Sequence, residues 1–175
     1  MESKSPIETL MYEHRLIERV LGALEARLQA WNHGDEDLDF VERAIGFFRE
    51  FADGCHHHKE EQILFPALEE RGLPRDGGPI GVMLAEHDSG RELIRAAAVG
   101  LARAHQGDRE AVEDVRRSLQ QFAELLRGHI FKEDHVLFQM ARQVLSEADT
   151  DEIGEQFEQS ESRDHERWVR FAEAL

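Results

Sequence analysis

Residues 45–68 read IGFFREFADGCHHHKEEQILFPAL, and the periodicity of this stretch decides the fold. Ile45, Phe48, Ala52, His56, Glu60, Ile63 and Ala67 recur at steps of three and four, the spacing that lines up side chains on one face of an α-helix. Leu38 and Val41 carry the same face toward the N-terminus, and residues 32–37, with Gly34, read as the polar turn and N-cap before it. A histidine and a glutamate therefore continue a stripe that is otherwise apolar and bound for a core.

The same arrangement recurs on either side. Pro6 opens a helix whose stripe is Ile7, Leu10, His14, Ile17, Leu21, Leu24, Leu28 and Trp31. GLPRDGGP at 72–79 breaks the chain, and Pro79 suits the first turn of a third helix with Ile80, Met83, His87, Gly90, Ile94, Ala97 and Leu101, ending near Gly107. Asp108 caps a fourth helix, which carries Val112, Val115, Leu119, Phe122, Leu126, His129, Glu133, Val136 and Met140. Beyond residues 146–150, Ile153, Phe157, Trp168, Phe171 and Leu175 mark a shorter fifth helix, expected to dock on the outside. The fold class is all-α, an up-down four-helix bundle with an additional C-terminal helix. Residues 1–175 are expected to form a single domain, the bundle over about 5–146 and the last helix over about 150–175.

Sliding the chain against itself by 73 residues superposes Glu13-His14 on Glu86-His87, His56 on His129, Lys59-Glu60 on Lys132-Glu133 and Leu64-Phe65 on Leu137-Phe138. The turn Gly34-Asp35 falls on Gly107-Asp108. Each half thus delivers two histidines and a glutamate at one spacing, and the repeat preserves polar positions as well as apolar ones.

Composition narrows the function. A hydrophobic content of 41%, only 4 prolines and no alternating β-branched runs favour helices over sheet. A formal charge of −16 without a basic stripe argues against nucleic acid and anionic membrane as partners, since both require clustered Lys and Arg. Cys55 is the single cysteine, which excludes an internal disulfide and a CxxC zinc site and leaves histidines and carboxylates as metal ligands. The start has no signal-peptide run and no stretch reaches spanning length, so a cytoplasmic protein is expected. Ten histidines are more than ordinary usage explains.

Residues four apart on a helix share a face, so His56 with Glu60 and His129 with Glu133 each present an imidazole beside a carboxylate. Two carboxylates facing each other in one apolar interior would cost several kcal/mol, and a cation between them removes the conflict. Imidazole and carboxylate without thiolate suit iron, with manganese or zinc as alternatives, and helix bundles build two-metal carboxylate sites in this way.

HHHKEEQILFPAL at 56–68, Glu-His at 13–14 and 86–87, and HIFKEDHVLF at 129–138 together resemble the hemerythrin-like, His-His-Glu cation-binding family, over residues 7 to 141. That resemblance implies two iron ions joined by an oxo or hydroxo bridge, with Glu60 and Glu133 bridging and His14, His56, His87 and His129 as terminal ligands. The oxygen-carrying members place HxxxH and HxxxxD in their later helices, where this chain has His87-x-x-x-Arg91 and His129-x-x-x-Glu133. One His and one HxxxE per half is closer to the di-iron proteins implicated in repairing iron–sulfur clusters. In an iron-sensing relative, a ubiquitin-ligase subunit, the residue after the second-helix histidine also coordinates, and that position here is His57.

Two six-coordinate irons offer about twelve positions, of which four histidines, two bridging carboxylates and a bridging oxygen fill about ten. His57 lies beside His56 and three residues from Glu60, so it is favoured as a further ligand. Ile130 at the equivalent position would make the site asymmetric. The expected function is a non-haem di-iron protein that binds or senses O2, NO or peroxide. The alternatives are an enzyme acting on hydrogen peroxide or nitric oxide, and an iron store or donor for iron–sulfur cluster repair.

The remaining candidates rank lower. His58 with Glu61 forms a competing register, but the repeat pairs them with Phe131 and Asp134. His135 faces away on its helix, and His33, His105 and His165 read as turn or exposed residues. Lys59, Lys132, Glu13 and Glu86 are equally consistent with solvated helix pairs and with groups that support the ligands. Cys55 reads as packed core. Gly90 either opens space beside the metal or eases helix packing.

Overall fold

The structure, a computed structural model, describes residues 5–31 and 36–175, so the turn read at Gly34 and the neighbouring His33 lie outside the described residues. Helix α1 is Pro6–Ala30, started by a capping box in which the Ser5 hydroxyl accepts from the Glu8 amide. Helix α2 spans residues 38–70, its first turn capped by Asp37. Helix α3 is Pro79–Ala104. Helix α4 spans residues 109–144 and begins where the Asp108 carboxylate accepts from the amides of Glu110 and Ala111. The C-terminal segment is two helices, α5 (Glu147–Ser160) and α6 (His165–Glu173), where one was expected. The polar residues 161–164 offer no apolar face to carry a helix across the gap.

Helices α2 and α3 end alike. Gly72 and Gly107 take left-handed φ values of 93° and 90°. The Leu73 and Gly72 amides then donate back to the carbonyls of Leu68 and Glu69, as the Asp108 and Gly107 amides donate to Arg103 and Ala104. No atom lies within 4 Å of a Cβ built on Gly107, so only the backbone penalises a side chain there. Gly107→Ala is expected to cost roughly 1–2 kcal/mol in a urea titration; an unchanged midpoint would show that this turn can adopt another path.

The helical register departs from the sequence reading at two places. Residues Glu60–Leu64 of α2 and Glu133–Leu137 of α4 are π-helical, and the Phe65 and Phe138 amides donate to the carbonyls of Glu60 and Glu133, five residues back. A wider turn advances the buried face by one residue. The stripe expected through Ile63, Ala67, Val136 and Met140 is therefore carried by Leu64, Leu68, Leu137 and Ala141, and Val136 is 47% exposed. A longer π-helical stretch, Phe48–His57, precedes the first of these turns. Such turns concentrate at functional sites because they reorient side chains within a continuous helix.

His14 and His87 lie in the first halves of α1 and α3, while His56 and His129 lie in the second halves of α2 and α4, as antiparallel neighbours require for convergence at one level. That level separates two apolar clusters. The larger includes Leu21, Phe48, Ile94, Leu119 and Trp168, so α6 docks on this end. The smaller holds Leu10, Phe65, Ile80, Phe138 and, from α5, Ile153 and Phe157. Both C-terminal helices thus pack outside the four-helix core, one at each end. Among the described residues no helix is long and apolar enough to cross a membrane.

Candidate metal centre

Between the two clusters lie His14, His56, His57, Glu60, His87, His129 and Glu133, each less than a tenth exposed. Two sets of possible ligand atoms lie within 4.8 Å of one another: His14, His56, Glu60 and Glu133, and His57, Glu60, His87 and His129. All seven residues singled out in the sequence therefore converge. Glu60 turns one oxygen to His56 Nε2 and the other to His87 Nε2, each at 3.4 Å. Glu133 does the same with His14 at 3.1 Å and His129 at 3.2 Å. Each carboxylate thus reaches across both halves of the repeat.

The outer ring nitrogens explain how the imidazoles are aimed. Nδ1 of His14 meets Asp134 at 2.7 Å, His56 meets Glu13 at 2.9 Å, and His87 meets Glu61 at 2.7 Å. His129 meets Glu86 at 3.0 Å, and His57 meets Asp53 at 3.3 Å. A carboxylate that accepts a hydrogen bond from Nδ1–H orients the ring and, in the neutral imidazole, leaves the Nε2 lone pair to face a metal. These carboxylates are themselves held. Lys59 donates to Glu13 at 2.5 Å, Lys132 donates to Glu86, Arg15 to Asp134, and Arg91 to both Glu61 and Asp53.

The sequence left Glu13, Lys59, Glu86 and Lys132 undecided, and the structure makes them supports for His56 and His129. It left Glu61 as a rival ligand, whereas Glu61 and its repeat partner Asp134 orient the histidine of the opposite half, and His58 is exposed. The recurrence of an acid after Glu60 and Glu133 was the available signal. Asp53 and Arg91 have no repeat counterpart and gave none. His135 is exposed and bonds the Phe131 carbonyl, as its helix face required. His165, read as exposed, is instead tucked against Cys55, with Nδ1 3.4 Å from Sγ. Burial raises the pKa of that thiol and keeps it protonated.

Burial and charge pull against each other throughout the layer. Burial would raise the Glu13 carboxyl, but His56 and Lys59 hold it at about 2. Burial would lower His14 and His129, yet their carboxylate neighbours lift them to about 9 and about 10. Burial and the nearby imidazoles of His87 and His129 keep His57 well below the ordinary histidine value, hence neutral.

Even so, the layer is not internally satisfied. His56 Nε2, His57 Nε2, both oxygens of Glu60 and Oε1 of Glu133 are buried without a hydrogen-bond partner. Orphaned carboxylate oxygens in an interior cost several kcal/mol unless a cation meets them. Five imidazole nitrogens and two carboxylates, with no thiolate directed at them, form a donor set suited to iron and other borderline divalent metals.

Comparison with known proteins agrees. The family described as Hemerythrin HHE cation binding domain matches residues 5–141. This chain belongs to that family, and its buried His/Glu clusters fit a metal site. Similar curated proteins include the uncharacterized proteins Mb2018 of Mycobacterium bovis (strain ATCC BAA-935 / AF2122/97) and Rv1995 of Mycobacterium tuberculosis (strain ATCC 25618 / H37Rv). Each is 27% identical over 168 residues, covering 95% of this chain and 63% of the relative, so the chain spans about three-fifths of their length.

Proposed function

We propose that this chain is a non-haem di-iron protein that binds or senses a small ligand, O2, NO or peroxide, at a carboxylate-bridged iron pair. His14 and His56 would hold one iron with one oxygen each of Glu60 and Glu133. His57, His87 and His129 would hold the second with the remaining oxygens. The observation that carries this reading is the set of buried, unpartnered nitrogen and oxygen atoms on residues whose ligand atoms lie within 4.8 Å of one another. A pair of irons supplies electrons and open positions for a small ligand. The protein's own part would be to bury the site between apolar clusters, to aim each Nε2 inward through its Nδ1 partner, and to offer the carboxylates of Glu60 and Glu133 to both halves.

The test is to quantify metal per chain, then to record visible spectra of the reduced protein before and after oxygen. Two irons per chain and a reversible spectral change support the reading; one zinc, or no bound metal, would sink it. Sustained oxygen evolution from peroxide would make the protein an enzyme. His57→Ala is expected to keep both irons but to change ligand-binding kinetics by about tenfold or more, the scale on which the supporting groups of metal sites act. Identical spectra and kinetics would remove His57 from the ligand set.

A further inference from the structure

A cavity of about 660 Å³ lies between α2, α3 and α4, and His57, His87 and His129 form its inner end. A water molecule takes about 30 Å³ of liquid, so the space exceeds the needs of O2, NO or peroxide by roughly an order of magnitude. It falls within the range of organic-ligand pockets. Ala52, Gly90, Ile94, Ala98, Phe122 and Leu126 give it apolar walls, and charged side chains from α2 and α3 also line it.

The charges around it are unequal. Asp53 is committed to Arg91 and His57, and Glu86 to His129 and Lys132. Arg91 is further committed to Glu61 and Asp88. That leaves Arg49 and Arg95, both exposed and both lining the cavity, with no ion pair or side-chain hydrogen bond to any described residue. Both lie on the same side of the histidines: Arg95 follows His87 by eight residues on α3, and Arg49 precedes His57 by eight on the antiparallel α2. In a chain of net charge −16, two such guanidinium groups on one cavity give an anion groups it can pair with.

We infer that this cavity binds an amphipathic organic anion, a medium-chain carboxylic acid. Its carboxylate lies between Arg49 and Arg95, and its apolar chain runs along α3 to His57, His87 and His129. Gly90 supports this placement. A Cβ built there meets Phe122 Cε2 at 3.5 Å and Leu125 Cδ2 at 4.0 Å, ordinary contacts, so helix packing does not demand glycine. What a larger side chain would consume is the cavity. Binding needs no metal, so the inference stands apart from the di-iron reading.

Isothermal titration of the full chain as purified with decanoate, and separately with decanol, tests it. Saturable binding of one decanoate per chain is expected. Arg49→Ala with Arg95→Ala should weaken it by at least about tenfold, as for loss of a charge-assisted hydrogen bond. Gly90→Leu should block it, and circular dichroism reports whether that variant folds. The arginine variants alter exposed residues and keep the test valid if it does not. No saturable decanoate binding, equal affinity in the double-arginine variant, or decanol binding as tightly as decanoate would each overturn the inference. Metal content, measured separately, reports on the di-iron reading independently.

Discussion

If the centre holds two ions as proposed, Glu60→Ala is expected to remove both of them from the chain, not one. Glu60 belongs to both sets of converging ligand atoms, and its two oxygens stand 3.4 Å from His56 and from His87. Its loss therefore takes a donor from each of the two sets, whereas Glu133 belongs to one. Ligands that bind only the folded state stabilise it by mass action, by about 2.7 kcal/mol per ion at a hundredfold excess over the dissociation constant. The wild-type chain should accordingly melt higher with ferrous iron under anaerobic conditions than without it, and Glu60→Ala should lose that difference completely. Elemental analysis and paired melts check it. A variant that keeps two irons per chain would show that Glu60 does not bridge.

Lys59→Ala is expected to cost about 3–5 kcal/mol, the scale for stripping one partner from a buried ion pair, whereas the repeat-equivalent Lys132→Ala should cost about 1 kcal/mol or less. The two lysines do the same work for Glu13 and Glu86. However, Lys59 and Glu13 are each 1% exposed, while Lys132 is 42% exposed and Glu86 18%. Without Lys59, a fully buried carboxylate keeps only its bond to His56. Without Lys132, water replaces the ammonium. Denaturant melts of both variants decide the matter, and equal losses would show that burial does not set the difference. Glu13→Gln combined with Lys59→Met should recover most of the Lys59→Ala loss, because it removes both charges together.

Much of this was legible from residues alone. The stripes in α1 and α3 hold throughout: Ile7, Leu10, Ile17, Leu21, Ile80, Met83 and Ile94 are buried, and the histidines among them face the same layer. The 73-residue repeat picked out the converging residues because it preserved Glu60 and Glu133, charged groups that an apolar interior tolerates only with partners. Legibility failed at two breaks in the α-helical period, although the stripe held through the π-helical Phe48–His57. At Glu60–Leu64 and Glu133–Leu137 a π turn inserts one residue into the face, and a template with a fixed step reads the next side chains one position early. The match of Leu64-Phe65 with Leu137-Phe138 marked the shifted face, but only to a reader not already committed to a step of three or four. The supports of the histidines were harder still. Glu61 aims a histidine on another helix, and Asp53 and Arg91 meet across α2 and α3, so no spacing along one helix reveals them.

Because Glu60 and Glu133 each turn one oxygen to either half of the repeat, the centre works as a clasp across a pseudo-two-fold axis. Neither half contains all the residues of either converging set, as each set draws on both halves. Separating the halves therefore dismantles both sites in the same motion.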